Sequence, residues 1–218
     1  MPSPFDQSTY QVRFEWGAEG LARLAPADVV VVVDVLRFSS TVADLVAAGG
    51  TVELEAAIPW SINGAAVAAA ADAGTVLLGS LRNAAATARA VMAEQERRGA
   101  RTSVAVIAAG ERAPDDTLRF AVEDQLGAGA VIAALSDLGI DHSSPEAAAA
   151  SESFRALRRA LRHLLSAGGS GRELAEGVPS TERMADAGIH PVTVAQAAEL
   201  DAVDAVPVLR DGVFVAFA

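Results

Sequence analysis

The chain contains no cysteine and no lysine. Without cysteine there are no disulfides, thiolate nucleophiles or thiolate metal sites. Without lysine there is neither Schiff-base catalysis nor a Walker-type phosphate loop, whose lysine reaches the phosphates. All 17 basic side chains are arginine, so a bound anion must be held by guanidinium groups, backbone N–H groups or a metal ion. Aromatic residues make up only 5% of the chain. No apolar run approaches the roughly 20 residues that a membrane-spanning helix needs. The first residues, Met1-Pro2-Ser3-Pro4-Phe5-Asp6, lack a basic stretch followed by an apolar one, so no secretory signal is expected. These absences predict a cytoplasmic protein with no membrane partner. Positive charge is also scarce, with 28 acidic side chains and a formal charge of −11. A nucleic-acid partner is not expected from that balance. One basic strip, Arg155, Arg158, Arg159 and Arg162, has helical spacing and is expected to be a solvated face paired with nearby glutamates.

What the chain has in abundance is alanine and valine. Half of its residues are hydrophobic, mostly small, which suits close packing of helices on a sheet. Five consecutive valines between Asp28 and Asp34 mark a strand buried on both faces. Val42, Leu45 and Val46 then recur at helical spacing until Gly49-Gly50. A strand is expected at 51–54, a helix at 65–73, a strand at 75–78 and a long helix at 83–98. Another strand follows at 103–108 and another helix at 122–138. The segment 145–166 reads as helical, 168–171 as a flexible break, and two or three short helices run to Leu200. Segments 205–209 and 213–217 around Arg210-Asp211-Gly212 read as a β-hairpin. The alternation predicts a single domain over 1–218, a three-layer α/β/α sandwich with a parallel or mixed central sheet.

In such sheets ligands collect where strands end and helices begin, and three junctions carry suitable chemistry. The first is Asp34-Val35-Leu36-Arg37-Phe38-Ser39-Ser40-Thr41. Asp34 suits Mg²⁺ or direct action on a phosphate, and Arg37 suits its oxygens. An Asp34–Arg37 ion pair beside a serine cap is the equally weighted alternative. The second, Gly79-Ser80-Leu81-Arg82-Asn83, taken alone favours a helix cap. The third joins Ala108-Ala109-Gly110-Glu111-Arg112 to Val122-Glu123-Asp124-Gln125-Leu126-Gly127-Ala128-Gly129-Ala130. Gly127 and Gly129 each weaken a helix by about 1 kcal/mol relative to alanine, so a close neighbour must need the space. Metal-binding acids with tight backbone packing account for both features; exposed acids favouring the helix dipole are the alternative. Gly127-Ala128-Gly129 lies within a helix and is no dinucleotide fingerprint. His142, His163 and His190 show no ligand spacing.

Together these stretches resemble the 2-phosphosulfolactate phosphatases. The tail contributes Ser170-Gly171-Arg172-Glu173-Leu174, Ala198-Glu199-Leu200-Asp201 and Val206-Pro207-Val208-Leu209. The resemblance implies a Mg²⁺-dependent phosphatase releasing phosphate from 2-phospho-3-sulfolactate, a step of coenzyme M biosynthesis, on a three-layer α/β/α fold. It makes Asp34, Glu123 and Asp124 the metal or catalytic candidates, with Arg37 beside them. Ser39, Ser40, Thr41, Asn63, Gly64, Ser80, Asn83, Gly110 and Glu111 become the substrate-contact candidates. The chain departs from the family where Pro59-Trp60 runs straight into Ser61-Ile62-Asn63-Gly64. A few tens of residues carrying a Gly-Glu-Arg and an Asn-Ser-Pro motif are missing there. That loss leaves open a second reading, a catalytically impaired relative that binds an anionic metabolite or a partner subunit. Self-association into a homo-oligomer is also left open.

Overall fold

The computed structural model describes residues 3–61 and 63–218. Met1 and Pro2 of the N-terminal stretch, and Ile62 in the Ser61–Gly64 turn, lie outside the described residues. In chain order the first half contains β1 (Val12–Trp16), α1 (Gly17–Arg23), β2 (Val29–Val33), α2 (Phe38–Ala47), β3 (Val52–Glu53), α3 (Leu54–Ala57), α4 (Gly64–Ala70), β4 (Thr75–Gly79), a 3-10 turn (Leu81–Asn83) and α5 (Ala84–Arg98). The second half contains β5 (Val104–Ala108), β6 (Glu111–Arg112), β7 (Leu118–Arg119), α6 (Val122–Asp137), α7 (Pro145–Leu157), α8 (Leu161–Ala167), α9 (Gly169–Glu176), α10 (Pro179–Asp186), α11 (Val194–Ala197), β8 (Pro207–Arg210) and β9 (Val213–Ala216).

The five valines form β2, and every one is buried. Their side chains alternate between two cores. Val29, Val31 and Val33 join Val106, Leu126, Val131 and Phe154 on one face. Val30 and Val32 join Phe38, Val42, Val67 and Phe214 on the other. A strand covered on both faces has no polar side to offer, which is why its sequence is a continuous apolar run. The result is the expected three-layer sandwich around a seven-stranded sheet of order β1-β5-β2-β4-β8-β9-β3. The four strands β1, β5, β2 and β4 are parallel, and the β8–β9 hairpin and β3 extend the sheet antiparallel to their neighbours.

The glycines of α6 are explained by packing. A Cβ on Gly127 would meet Val35 and Val33, and one on Gly129 would overlap the Ala150 carbonyl of α7. The 168–171 segment is not a flexible break: Gly169, Ser170 and Gly171 form the first turn of α9. Gly171 is small because its Cβ would collide with the Leu165 carbonyl of α8. A glycine cluster required for helix contact therefore imitates a loop in sequence. The basic strip behaves as expected at Arg155, which pairs with Glu152 and Asp137 on the surface.

The connections place a topological switch beside β2. The chain leaves β2, returns through β4 on one side, and then crosses to β5 on the other. Residues just past the carboxyl ends of β2 and β5 therefore face one crevice, where parallel sheets offer backbone N–H groups to ligands.

Candidate active site

Asp34 stands directly after β2 and Gly110-Glu111 two residues after β5. The acidic pair Glu123-Asp124 opens α6. Three segments distant in sequence thus meet at one end of the sheet, and their carboxylates are wired to the backbone. Asp34 Oδ1 accepts the N–H of Phe38 at 3.1 Å, and its Oδ2 accepts that of Gly64 at 3.2 Å. Gly64 must be glycine for this approach, since a Cβ would sit 2.5 Å from Asp34 Oδ2. Asp124 Oδ1 accepts from Val35 N at 2.7 Å, and its Oδ2 from Gly110 N at 2.9 Å. Asp124 therefore clamps the ends of β2 and β5 together.

Asp34 lines a cavity of about 280 Å³ together with Arg37, Asn63, Glu111 and Ser170. Glu123 lies in an adjoining depression with Arg119, Ser170 and Glu111. Asp124 is buried and lines neither of these two spaces. Glu111 borders both, and is held by Asn63 Nδ2 (3.3 Å) and Ser170 Oγ (3.4 Å). Asn63 Nδ2 also donates to the Gly110 carbonyl at 2.9 Å.

The acids raise one another's proton affinity. Burial pushes Asp34 up to about 7, and the charges of Glu111 and Glu123 add to it against the backbone N–H groups of Phe38 and Gly64. Burial likewise raises Asp124, helped by Asp34 and Glu123. Burial raises Glu123 too, with the Ser170 hydroxyl and then Arg119 pulling the other way. Such an acid cluster either stays partly protonated or takes a cation.

Arg37 does not form the alternative ion pair: no carboxylate lies within 4 Å of it among the described residues. Its Nη2 donates instead to Thr181 Oγ1 (2.6 Å) and Ser180 Oγ (3.3 Å) of α10. The remaining candidates divide sharply. Ser39 Oγ accepts from Asp34 N and donates to the Val32 carbonyl, and Ser40 Oγ donates to that of Val35. Thr41 Oγ1 accepts the N–H of Val192. All three are fully buried and brace the Asp34 turn rather than line the cavity. Ser80 and Asn83 form a capping box, and Asn83 Nδ2 reaches the Leu78 and Ala205 carbonyls. The second junction is thus a cap and contributes no residue to the cavity lining. Its Arg82 is spent on Asp44, Glu199 and the Gln196 carbonyl.

Six polar residues of the cavity, Trp60, Ser61, Ser170, Glu173, Ser180 and Arg183, lie outside the sequence-based candidate set. Ser170 was masked by the glycines around it. Trp60 and Arg183 also line the cavity, and among the described residues their buried Nε1 and Nε atoms have no hydrogen-bond partner. One signal for Trp60 was available, since it is one of only two tryptophans and adjoins the point where the family segment is missing.

A divalent cation suits the chemistry of this donor set. Yet among the described residues no three His, Cys, Asp or Glu side chains converge as a ligand cluster, and Asp34, Glu123 and Asp124 do not share one cavity. Asp34 and Glu111 do. Two carboxylates, completed by water and substrate oxygens, are an ordinary protein contribution to Mg²⁺.

Among the described residues no helix is long and apolar enough to cross a membrane. No curated protein matches the chain by sequence. The family model for 2-phosphosulpholactate phosphatase matches residues 51–212. That span includes Asn63, Glu111, Glu123, Asp124 and Ser170, and begins after Asp34 and Arg37. With well over half of the 218 residues so matched, the chain belongs to the 2-phosphosulpholactate phosphatase family, a family of phosphatases.

Proposed function

We propose that the protein is a Mg²⁺-dependent phosphomonoesterase that converts 2-phospho-3-sulfolactate to 3-sulfolactate and phosphate. The observation that carries this reading is the pairing, in one cavity at the switch point, of buried Asp34 with Glu111 and a guanidinium free of carboxylates, Arg37. Asp34 and Glu111 are the side chains that would hold the metal, and Glu123 adjoins them. When bound, Mg²⁺ would neutralise charge on the phosphoryl oxygens and offset the repulsion between the substrate and a chain of charge −11.

The residues of the chain supply the rest. Arg37, braced by Ser180 and Thr181, grips phosphoryl oxygens and limits their orientations. Burial raises the proton affinity of Asp34 in the metal-free chain; on holding the cation it would lose that proton, and its role is to position the metal and the attacking water. A P–O bond forms to the oxygen of that water, the ester P–O bond breaks, and the alkoxide of sulfolactate leaves and takes up the proton that the water gives up. Asn63 and Ser170 keep Glu111 turned toward the cavity. Ser39, Ser40, Thr41 and Asp124 act one step back, fixing the backbone that carries Asp34.

Mg²⁺ binding separates this reading from that of a non-catalytic anion binder. Isothermal titration of wild type, Asp34→Asn and Glu111→Gln with MgCl₂ is expected to show one site in wild type and at least about 10-fold weaker binding in each variant. Equal affinities in all three proteins would remove the metal from this cavity.

A further inference from the structure

Two residues that line the cavity, Trp60 and Arg183, carry donors with no task in that mechanism. Trp60 is 5% exposed, its ring packed against Phe38, and its indole N–H is buried without an acceptor among the described residues. Arg183, on α10, has a buried Nε in the same condition and no carboxylate within ion-pair distance among the described residues. Both atoms can only donate, and each lacks an acceptor that water or a ligand entering the cavity would supply. Among the described residues many arginines lie without an ion pair, so a missing carboxylate alone says little; what sets Arg183 apart is a buried Nε without an acceptor on a residue that lines the cavity.

Arg37 and Arg183 line the same space but hold different positions. Arg37 follows β2 and is the cation that feels the charge of Asp34. Arg183 comes from the other side of the chain, on the helix whose Met184 is packed into the core shared with Phe38 and Trp60. The cavity, about 280 Å³, is at the small end of ligand sites, which favours a compact metabolite over a cofactor.

We infer that Arg183 Nε and Trp60 Nε1 form a second anion subsite, which holds the acidic group of the substrate that is not the phosphate. The ligand class is a sulfonate or carboxylate carried on the carbon skeleton of a phosphate ester. This deepens the proposed phosphatase reading and rests on it for the substrate. It makes the chain selective for esters with two or more anionic groups, and it makes α10 the element that measures the distance between them.

The test is a comparison of three esters, 2-phospho-3-sulfolactate, 2-phospholactate and ethyl phosphate, with wild type, Arg183→Gln and Trp60→Phe. The first ester carries a sulfonate and a carboxylate, the second a carboxylate only, and the third neither. Arg183→Gln is expected to lower kcat/KM for the ester bearing the recognised group by about 100-fold, and Trp60→Phe by about 5-fold, mostly through KM. The loss with ethyl phosphate should be smaller by about 10-fold or more in the arginine variant. A large loss confined to 2-phospho-3-sulfolactate identifies the sulfonate as the bound group; a loss shared with 2-phospholactate identifies the carboxylate. Equal losses with all three esters, or losses confined to kcat, would overturn the subsite while leaving the phosphatase reading intact.

If wild type hydrolyses none of the esters, the phosphatase reading fails and the subsite is judged by binding alone. Titration with 3-sulfolactate should then perturb tryptophan fluorescence, an effect lost in Trp60→Phe and weakened in Arg183→Gln, with Trp16 as the internal reference. No perturbation in wild type, or the same perturbation in Trp60→Phe, would refute it. Near-ultraviolet circular dichroism and thermal melts of both variants separate loss of binding from loss of fold.

Discussion

Asp124 Oδ1 accepts the N–H of Val35 at 2.7 Å across 89 positions of sequence, while its second oxygen holds Gly110 N. A single side chain at the head of α6 thereby fixes the two strand ends from which Asp34 and Glu111 project. Replacement by alanine leaves two buried N–H groups without acceptors, each costing about 1–3 kcal/mol. Asp124→Ala is therefore expected to lower the denaturation midpoint and to reduce turnover even though Asp124 lines neither acid-bearing space. Urea unfolding checks the first effect. Unchanged stability would mean that the clamp is not a structural support.

The metal-free protein should gain stability as the pH falls through neutrality. Asp34 has its proton affinity raised on folding, to about 7. The stability it contributes is accordingly greatest below its unfolded pKa, and is lost as the pH rises through 7. Asp124 and Glu123 are shifted in the same direction. In EDTA, Tm is expected to be higher at pH 5.5 than at pH 8, by up to a few kcal/mol of unfolding free energy. Added Mg²⁺ should raise Tm more at pH 8 than at pH 5.5, since it competes with protons for the same oxygens. A melting profile that rises with pH in EDTA would contradict the acid cluster.

Gly129 offers a purely structural test. Its missing Cβ leaves room for the Ala150 carbonyl of α7, and both residues sit inside helices. Alanine there would gain about 1 kcal/mol of helix propensity but force the two helices apart, an overpacking cost of about 1–3 kcal/mol. Gly129→Ala should be destabilising on balance, whereas alanine at an open helical position would stabilise. A melt above wild type would show that α6 and α7 do not pack this closely.

Glu111 and Glu173 both border the main cavity and the depression beside Glu123, and of the two it is Glu111 that Asn63 and Ser170 hold in place. Glu111→Gln keeps the shape, its carbonyl oxygen still accepting from Asn63 and its amide now donating to the Ser170 hydroxyl, but removes the charge. Turnover is expected to fall by about 100-fold or more with the fold preserved. Wild-type rates would return Glu111 to the substrate-contact role that the family resemblance implied.

Much of this arrangement was legible in the chain itself. The continuous valines of β2 could satisfy only a strand covered on both faces, and the strand–helix alternation led directly to the three-layer sandwich. That Asp34, Glu123 and Asp124 would stand at one end of the sheet followed from the switch-point rule together with the family motifs, but their division between two spaces and a buried backbone clamp did not. What sequence could not convey was the destination of each polar group. Ser39, Ser40, Thr41, Ser80 and Asn83 look like ligand contacts because they follow strands, yet their hydroxyl and amide groups serve neighbouring backbone. A serine that caps and a serine that binds have the same local sequence. Ser170 shows the converse, since glycines needed for contact with α8 gave its helix the appearance of a loop. Arg183 and Trp60 gained significance only when buried donors could be seen without acceptors.

Phosphate release from 2-phospho-3-sulfolactate at pH 7–8, in MgCl₂ and then in excess EDTA, is the most direct test of the central claim that Asp34 and Glu111 build a metal-assisted phosphatase site. Release that requires Mg²⁺, stops in EDTA, and falls at least about 100-fold in Asp34→Asn is the predicted result. Release that is indifferent to EDTA, or a wild type that binds the ester without hydrolysing it, would contradict the account.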